Sequence, residues 1–144
     1  MPVFLTRVHS LEAQNNRFIF YTDFSTDDIT RSQKENFKKK LINIGESEAP
    51  PTSFRYERIG SVDVIRTENE FRAFTVMCEK CSHYNIIVVL DVTGDHDYSN
   101  ISARKSQAKT IKSKFNSLSS KSAVESELSN YSVFTTEDLK SYNF

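Results

Sequence analysis

Residues 86–90 read Ile-Ile-Val-Val-Leu, within the segment Tyr84–Val92, and no other stretch restricts the fold as much. All five side chains are apolar, so both faces of the segment need cover. Four of the five are β-branched, which favours a strand over a buried helix. A strand apolar on both faces belongs in the middle of a sheet with a layer packed on each side. The preceding segment, Phe71 to Cys78, has the same character: Phe74, Val76 and Cys78 alternate with Ala73, Thr75 and Met77.

Around this pair the pattern predicts the remaining elements. Phe54 to Ile65 reads as a strand broken at Ile59-Gly60 by a bulge or bend. Val3 to Leu11 and Arg17 to Phe24 read as a hairpin about the turn signal Gln14-Asn-Asn16. Between them and the Pro50-Pro51 loop lies a helix. Ser25 or Thr26 is its expected cap, Ile29, Phe37, Leu41 and Ile44 share one face, and Gly45 is its expected C′ residue. A second helix follows from Ile101, where Ala108, Ile111, Phe115 and Leu118 complete an apolar arc. Beyond the serine-rich break at 117–122, a weakly amphipathic stretch spans Val124 to Leu128, and Thr135 or Thr136 caps a last turn through Leu139. The order is ββαβββαα, an α+β chain with residues 1–122 as the domain and 123–144 as a C-terminal tail carrying a short helix.

A chain of 144 residues supports one core, and 11 Phe against no Trp make aromatic volume its main filler. The 19 basic and 19 acidic residues cancel, so attraction to nucleic acid or membrane must come from local asymmetry. Two cysteines are too few for a disulfide framework and suit a reducing compartment. The N-terminus lacks the pattern of a secretory signal, no apolar run approaches the ~18 residues of a span, and the last residues offer no cysteine to prenylate. The expectation is a cytoplasmic protein that is peripheral on endomembranes. The sequence contains no Gly-x-Ser-x-Gly elbow, dinucleotide fingerprint or phosphate loop, and only three glycines, Gly45, Gly60 and Gly94. It is therefore expected to be no enzyme and to use no cofactor.

Three groups of residues carry chemistry. Cys78-Glu-Lys-Cys81-Ser-His83, with His96, offers half of a zinc site. No second Cys-x-x-Cys completes it, and Cys78 continues the apolar alternation, so a core cysteine plus a hairpin-loop cysteine is the better reading, with no metal. A redox dithiol is the least favoured reading, because such a pair normally sits at a helix N-terminus after a strand and here lies between two strands. Asp91, Asp95, His96 and Asp97 follow the central strand and read as hydrophilic turn residues. The second helix is the strongest candidate. Arg104, Lys105, Lys109, Lys112, Lys114 and Lys121 lie in a stretch without an acidic residue between Asp97 and Glu125. Lys105, Lys109 and Lys112 share one flank, suited to an anionic lipid surface, an acidic protein or a phosphate backbone. Nucleic acid is the weakest of these, because no aromatic side chains interleave with the cations.

The element order resembles the longin fold, the profilin-like module of long vesicle SNAREs, adaptor subunits and tethering-complex subunits. Phe20-Tyr-Thr-Asp-Phe24 before a helix looks like a second-strand end, and Ser53-Phe-Arg-Tyr56 with Phe71 to Cys78 looks like later strands. The resemblance covers nearly the whole chain and implies a five-stranded antiparallel sheet sandwiched by one helix on one face and two on the other. It also implies a non-catalytic protein-binding module of intracellular membrane traffic. A groove between the first helix, around Phe37 and Leu41, and a sheet edge would take a protein partner's apolar segment. The alternative is a structural subunit of a larger intracellular assembly, a ribonucleoprotein included, that uses the basic helix 101–121. No SNARE heptad helix or membrane anchor accompanies the pattern.

Overall fold

The computed structural model describes residues 15–21 and 24–144, which form an α+β chain with a six-stranded mixed sheet. Strand β5 (Tyr84–Thr93) lies inside that sheet, between β4 (Arg72–Cys81) and β1 (Asn16–Phe20). Its apolar run divides as its composition requires. Ile86, Val88 and Leu90 enter one core, and Ile87 and Val89 enter the other. Burial of each such side chain stabilises the fold by about 1.5–3 kcal/mol before chain entropy is counted.

The full order is β2-β3-β4-β5-β1-β6, with β2 at Glu57–Ile59, β3 at Val62–Ile65 and β6 at Val133–Phe134. This differs from the five antiparallel strands expected. β1 runs parallel to β5, from Asn16 opposite Asn85 to Phe20 opposite Val89, whereas the other neighbours are antiparallel. The segment read as one broken strand is a hairpin, β2 and β3, closed by a two-residue turn with Gly60 at φ +60°. Phe54 lies outside it, in a single 3-10 turn. β6 is only two residues long, too short to show a period. The other half of the expected N-terminal hairpin, Val3 to Leu11, lies outside the described residues; among the described residues β1 pairs with β5 and β6.

Helix α1 (Arg31–Glu46) buries Phe37, Leu41 and Ile44 against one sheet face, as its spacing predicts. Its cap is neither Ser25 nor Thr26. Thr30 Oγ1 accepts the Gln33 N–H, and Gln33 Oε1 accepts the Thr30 N–H, forming a reciprocal capping box. Gly45 is not the C′ residue either. It lies inside α1, where a Cβ would run into the Thr136 side chain. The missing side chain lets helix α4 (Thr136–Lys140) approach α1 on the same face, with Leu139 fully buried. Helices α2 (Ile101–Asn116) and α3 (Lys121–Leu128) cover the opposite face through Ala108, Phe115, Val124 and Leu128. α4 starts at the predicted cap, Thr135, which forms a second capping box with Asp138. Residues 121–140 thus supply one strand and two helices to the same two cores.

Candidate functional site

Two irregularities in the β4–β5 pairing decide which chemistry-bearing side chains reach the α2 face. Phe74 pairs with Asp91 but Thr75 pairs with Val89, so Leu90 is an extra residue in β5. The bulge shifts the alternation by one place and turns Asp91 towards α2, where its carboxylate accepts Arg104 Nη2 at 3.0 Å. At the far end, Cys78 pairs with Ile86 and Cys81 with Tyr84, leaving one extra residue in β4. Lys80, in the left-handed region at φ +54°, absorbs it. Ile86 and Tyr84 face the same side of β5, so Cys78 and Cys81 must face the same side of β4.

The cations of α2 do not act as one set. Arg104 is committed to Asp91 and, through Nη1, to Gln107. Lys114 points to the other flank and pairs with Glu127 of α3 at 3.2 Å. Lys105, Lys109 and Lys112 remain on the shared flank, without an ion pair to any described residue. Lys105 and Lys109 are exposed and Lys112 is half-buried. Sequence reasoning missed what this flank rests against. The Lys105 stem lies about 3.2 Å from where a Gly60 side chain would begin, so the β2–β3 turn and α2 approach each other through that glycine. Arg58 stands opposite Asp63 in the β2–β3 pair and donates from Nε to the Gly60 carbonyl at 3.0 Å; it alternates to the other face and does not join the row. The glycine at the predicted break was the available signal, since it permits both the turn and the close approach.

The predicted groove around Phe37 and Leu41 is closed. Both side chains are fully buried. Phe37 packs on Phe71 and Phe144, with ring centroids 5.3 and 5.6 Å away. Lys38 Nζ holds the C-terminal segment in place by donating to the carbonyls of Lys140 and Tyr142. The chain's own aromatic end fills the space that a partner was expected to take. Around it, Phe20, Phe24, Phe134 and Tyr142 form a half-buried cluster.

The metal-like residues diverge. Cys78 and Cys81 are 1% and 5% exposed, so Cys81 is a core residue and not the loop cysteine expected. His83 is exposed in the two-residue hairpin turn at φ +80°, and the His96 ring lies tilted against Tyr98 with centroids 4.8 Å apart. Asp95 accepts the Thr93 hydroxyl and Asp97 accepts the Ser99 N–H. Among the described residues, no three His, Cys, Asp or Glu side chains converge as a metal cage would need. The two thiols do meet each other. A hydrogen bond from the Cys78 thiol pulls Cys81 down to about 7 against the opposing effect of burial, while the same bond and then burial push Cys78 well up. Cys81 Sγ also lies 3.6 Å from the Phe115 carbonyl in the last turn of α2, in position to donate to it when protonated.

An open cleft of about 630 Å³ lies at this same end of the sheet, lined by Asn15, Ser47, Glu79, Lys80, His83 and Asn85 among others. Its amides are spent on structure. Asn85 donates to Asn16, and Asn16 donates to the Gly45 carbonyl at the end of α1. Glu79 accepts the Thr52 N–H. Among the described residues no helix is long and apolar enough to cross a membrane. No protein-family model, curated protein or solved structure matches the chain.

Proposed function

We propose that the protein is a non-catalytic, longin-like binding module of intracellular membrane traffic, held by a protein partner and steered to an anionic membrane surface by the α2 flank. The observation that carries the reading is the row Lys105, Lys109 and Lys112 on one flank of α2, with no acidic partner among the described residues. The layering supports the longin part, with α1 and the short α4 on one sheet face and α2 and α3 on the other. The parallel β1–β5 pair and the sixth strand depart from the all-antiparallel, five-stranded form that the resemblance implies.

Near an anionic bilayer each Lys or Arg is worth roughly 1 kcal/mol. Three give about 3 kcal/mol, a Kd of about 6 mM, which recruits without anchoring. A protein partner must supply the rest. The alternative, a structural subunit of a larger assembly such as a ribonucleoprotein, would draw on the whole helix 101–121. It is weakened because Arg104 and Lys114 are already paired within the fold. The test is co-sedimentation with phosphatidylserine vesicles, and separately with single-stranded RNA, over a salt series. Lys105→Glu, Lys109→Glu and Lys112→Glu together should abolish vesicle binding while leaving the far-UV circular dichroism unchanged. Undiminished vesicle binding by the triple variant at low salt, or binding to RNA alone, would overturn the reading.

A further inference from the structure

We propose that Cys78 and Cys81 are a redox-active dithiol, closing to an intrastrand disulfide when the protein meets a hydroperoxide. The proposal rests on the β4 bulge and is independent of the docking surface. In a regular strand, residues three apart point to opposite faces. The extra residue between Cys78 and Cys81 cancels that, and the pairing with Ile86 and Tyr84 makes the two cysteines successive neighbours on one face. Their partners Ile86 and Tyr84 are residues i and i+2, roughly 6.4–6.8 Å apart, so the cysteine Cα atoms lie near the upper limit of the ~4.4–6.8 Å range of disulfides, and closing the bond draws the hairpin end together. Both side chains lie in the same buried cluster, and each thiol is the largest influence on the other's protonation. Only two sulfur ligands converge, too few for a structural zinc, so thiol chemistry is what the pair is equipped to do.

The backbone around the pair is strained in a way that core packing alone does not require. Lys80, Ser82 and His83 all have positive φ, at +54°, +44° and +80°. The Ser82–His83 turn is of the kind that Asn-Gly ordinarily fills. Three non-glycine residues held left-handed within one hairpin end mark the strain found at functional sites. Such a hairpin end also opens locally more readily than the sheet centre, which gives a small oxidant a route to Cys81, the more exposed thiol.

The chemistry balances with a hydroperoxide as the two-electron oxidant. The Cys81 thiolate attacks one peroxide oxygen, the O–O bond breaks, and Cys81 becomes a sulfenic acid with release of hydroxide or alcohol. The Cys78 thiol, acting as hydrogen-bond donor, favours the thiolate on Cys81, whereas Lys112 acts on Cys78. The Cys78 sulfur then attacks the Cys81 sulfur. The S–S bond forms, the S–O bond breaks, and the hydroxide leaves with the Cys78 proton as water. The disulfide has no S–H left for the Phe115 carbonyl, so oxidation removes a tie between the hairpin and the end of α2.

The full chain would be treated with graded hydrogen peroxide, quenched, denatured, alkylated and peptide-mapped without reductant. The expected product is an intramolecular Cys78–Cys81 link, two hydrogens lighter than the parent peptide and reversed by dithiothreitol. Cys78→Ser should instead accumulate a dimedone-reactive sulfenic acid at Cys81, and Cys81→Ser should show neither product. An arm free of variants guards against misfolding: one equivalent of phenylarsine oxide, which bridges paired thiols, should protect both cysteines of the parent chain from alkylation. Two alkylatable thiols persisting at doses that oxidise cysteine-containing peptide controls, or disulfides only between chains, would overturn the proposal, as would absence of arsenical protection.

Discussion

The hairpin that brings Gly60 to Lys105 depends on one buried carboxylate, and removing it is the sharpest test of how this edge of the sheet is built. Asp63 of β3 is fully buried and faces the α1 side with Ile65. Its Oδ1 accepts Arg55 Nη1 at 2.9 Å, and its Oδ2 accepts the Met77 N–H at 2.9 Å. The second bond has a topological cause. With Asp63 opposite Thr75, Met77 falls opposite Ser61 in the turn, beyond the last β2–β3 pair, so β3 offers it no ladder carbonyl. Asp63→Ala leaves that amide buried and unpaired, at a cost of about 2 kcal/mol. Losing the Arg55 contact adds about 1 kcal/mol after screening, because the arginine side chain is 33% exposed and rehydrates. The total of about 3 kcal/mol should lower the urea midpoint by about 1.5 M at an m-value of about 2 kcal/mol/M. Asp63→Asn keeps an oxygen for Met77 and lets Arg55 swing into solvent, so it should cost only about 1 kcal/mol. Equilibrium urea denaturation of both variants, with hydrogen exchange at the Met77 amide, measures this. An alanine variant within about 0.5 kcal/mol of the parent, or an asparagine variant as costly as alanine, would refute the assignment of the cost to the stranded amide.

Three further outcomes follow from single residues. Gly45→Ala should destabilise by about 1–3 kcal/mol despite the better helix propensity of alanine, because its Cβ meets the Thr136 side chain; adding Thr136→Ala should recover most of the loss in thermal melts. His83→Gly relieves a left-handed φ of +80°, and at about 1 kcal/mol should raise Tm by about 2–4 °C for a domain of this size. The Tyr98 phenol is pushed up to about 12 by burial and by its hydrogen bond to Glu57. Its stabilising effect is therefore complete below the ordinary tyrosine pKa of about 10 and is lost as pH rises through 12. Ultraviolet titration should show the Tyr98→Phe variant missing one of the late phenolate steps.

Residues 86–90 announced their place inside the sheet because cover on both faces is a property of composition, and composition is local. Which strand lies alongside is not local. A central strand reads the same whether its neighbour runs parallel or antiparallel, so Asn16–Phe20 gave no sign that it would lie parallel to β5. The edge pair Phe18–Phe134 and Ile19–Val133 is too short to leave a period at all. The helix ends failed for a related reason. Ser25, Thr26 and Thr30 are all competent caps, and only Gln33, reaching back to the Thr30 N–H, makes the last of them the true start. Gly45 shows the limit from the other side, since a glycine near a helix end has a ready explanation as a terminator, yet here it marks contact with a helix ninety residues further on.

The site was harder to read than the fold because bulges break the one rule that lets a strand be read at all. Alternation assigns Asp91 to the α1 side and separates Cys78 from Cys81. Each bulge adds one residue, and one residue is enough to reverse a period of two. Asp91 thereby becomes the partner that removes Arg104 from the open cationic flank of α2, and Cys81 becomes the neighbour of Cys78 in the core. The charged stretch on α2 misled for the opposite reason. Its six cations are visible as a composition, but their division between the open flank, Asp91 and Glu127 depends on where α3 and the bulged end of β5 come to rest. Restoring the regular period tests this account of the site directly. Inserting one residue after Asn85 gives β5 the same count as β4 between these pairs, removes the bulge, and should send Cys81 to the face opposite Cys78 and abolish arsenical bridging. An insertion variant that still folds and still protects both thiols would mean that something other than the bulge brings the two sulfurs together.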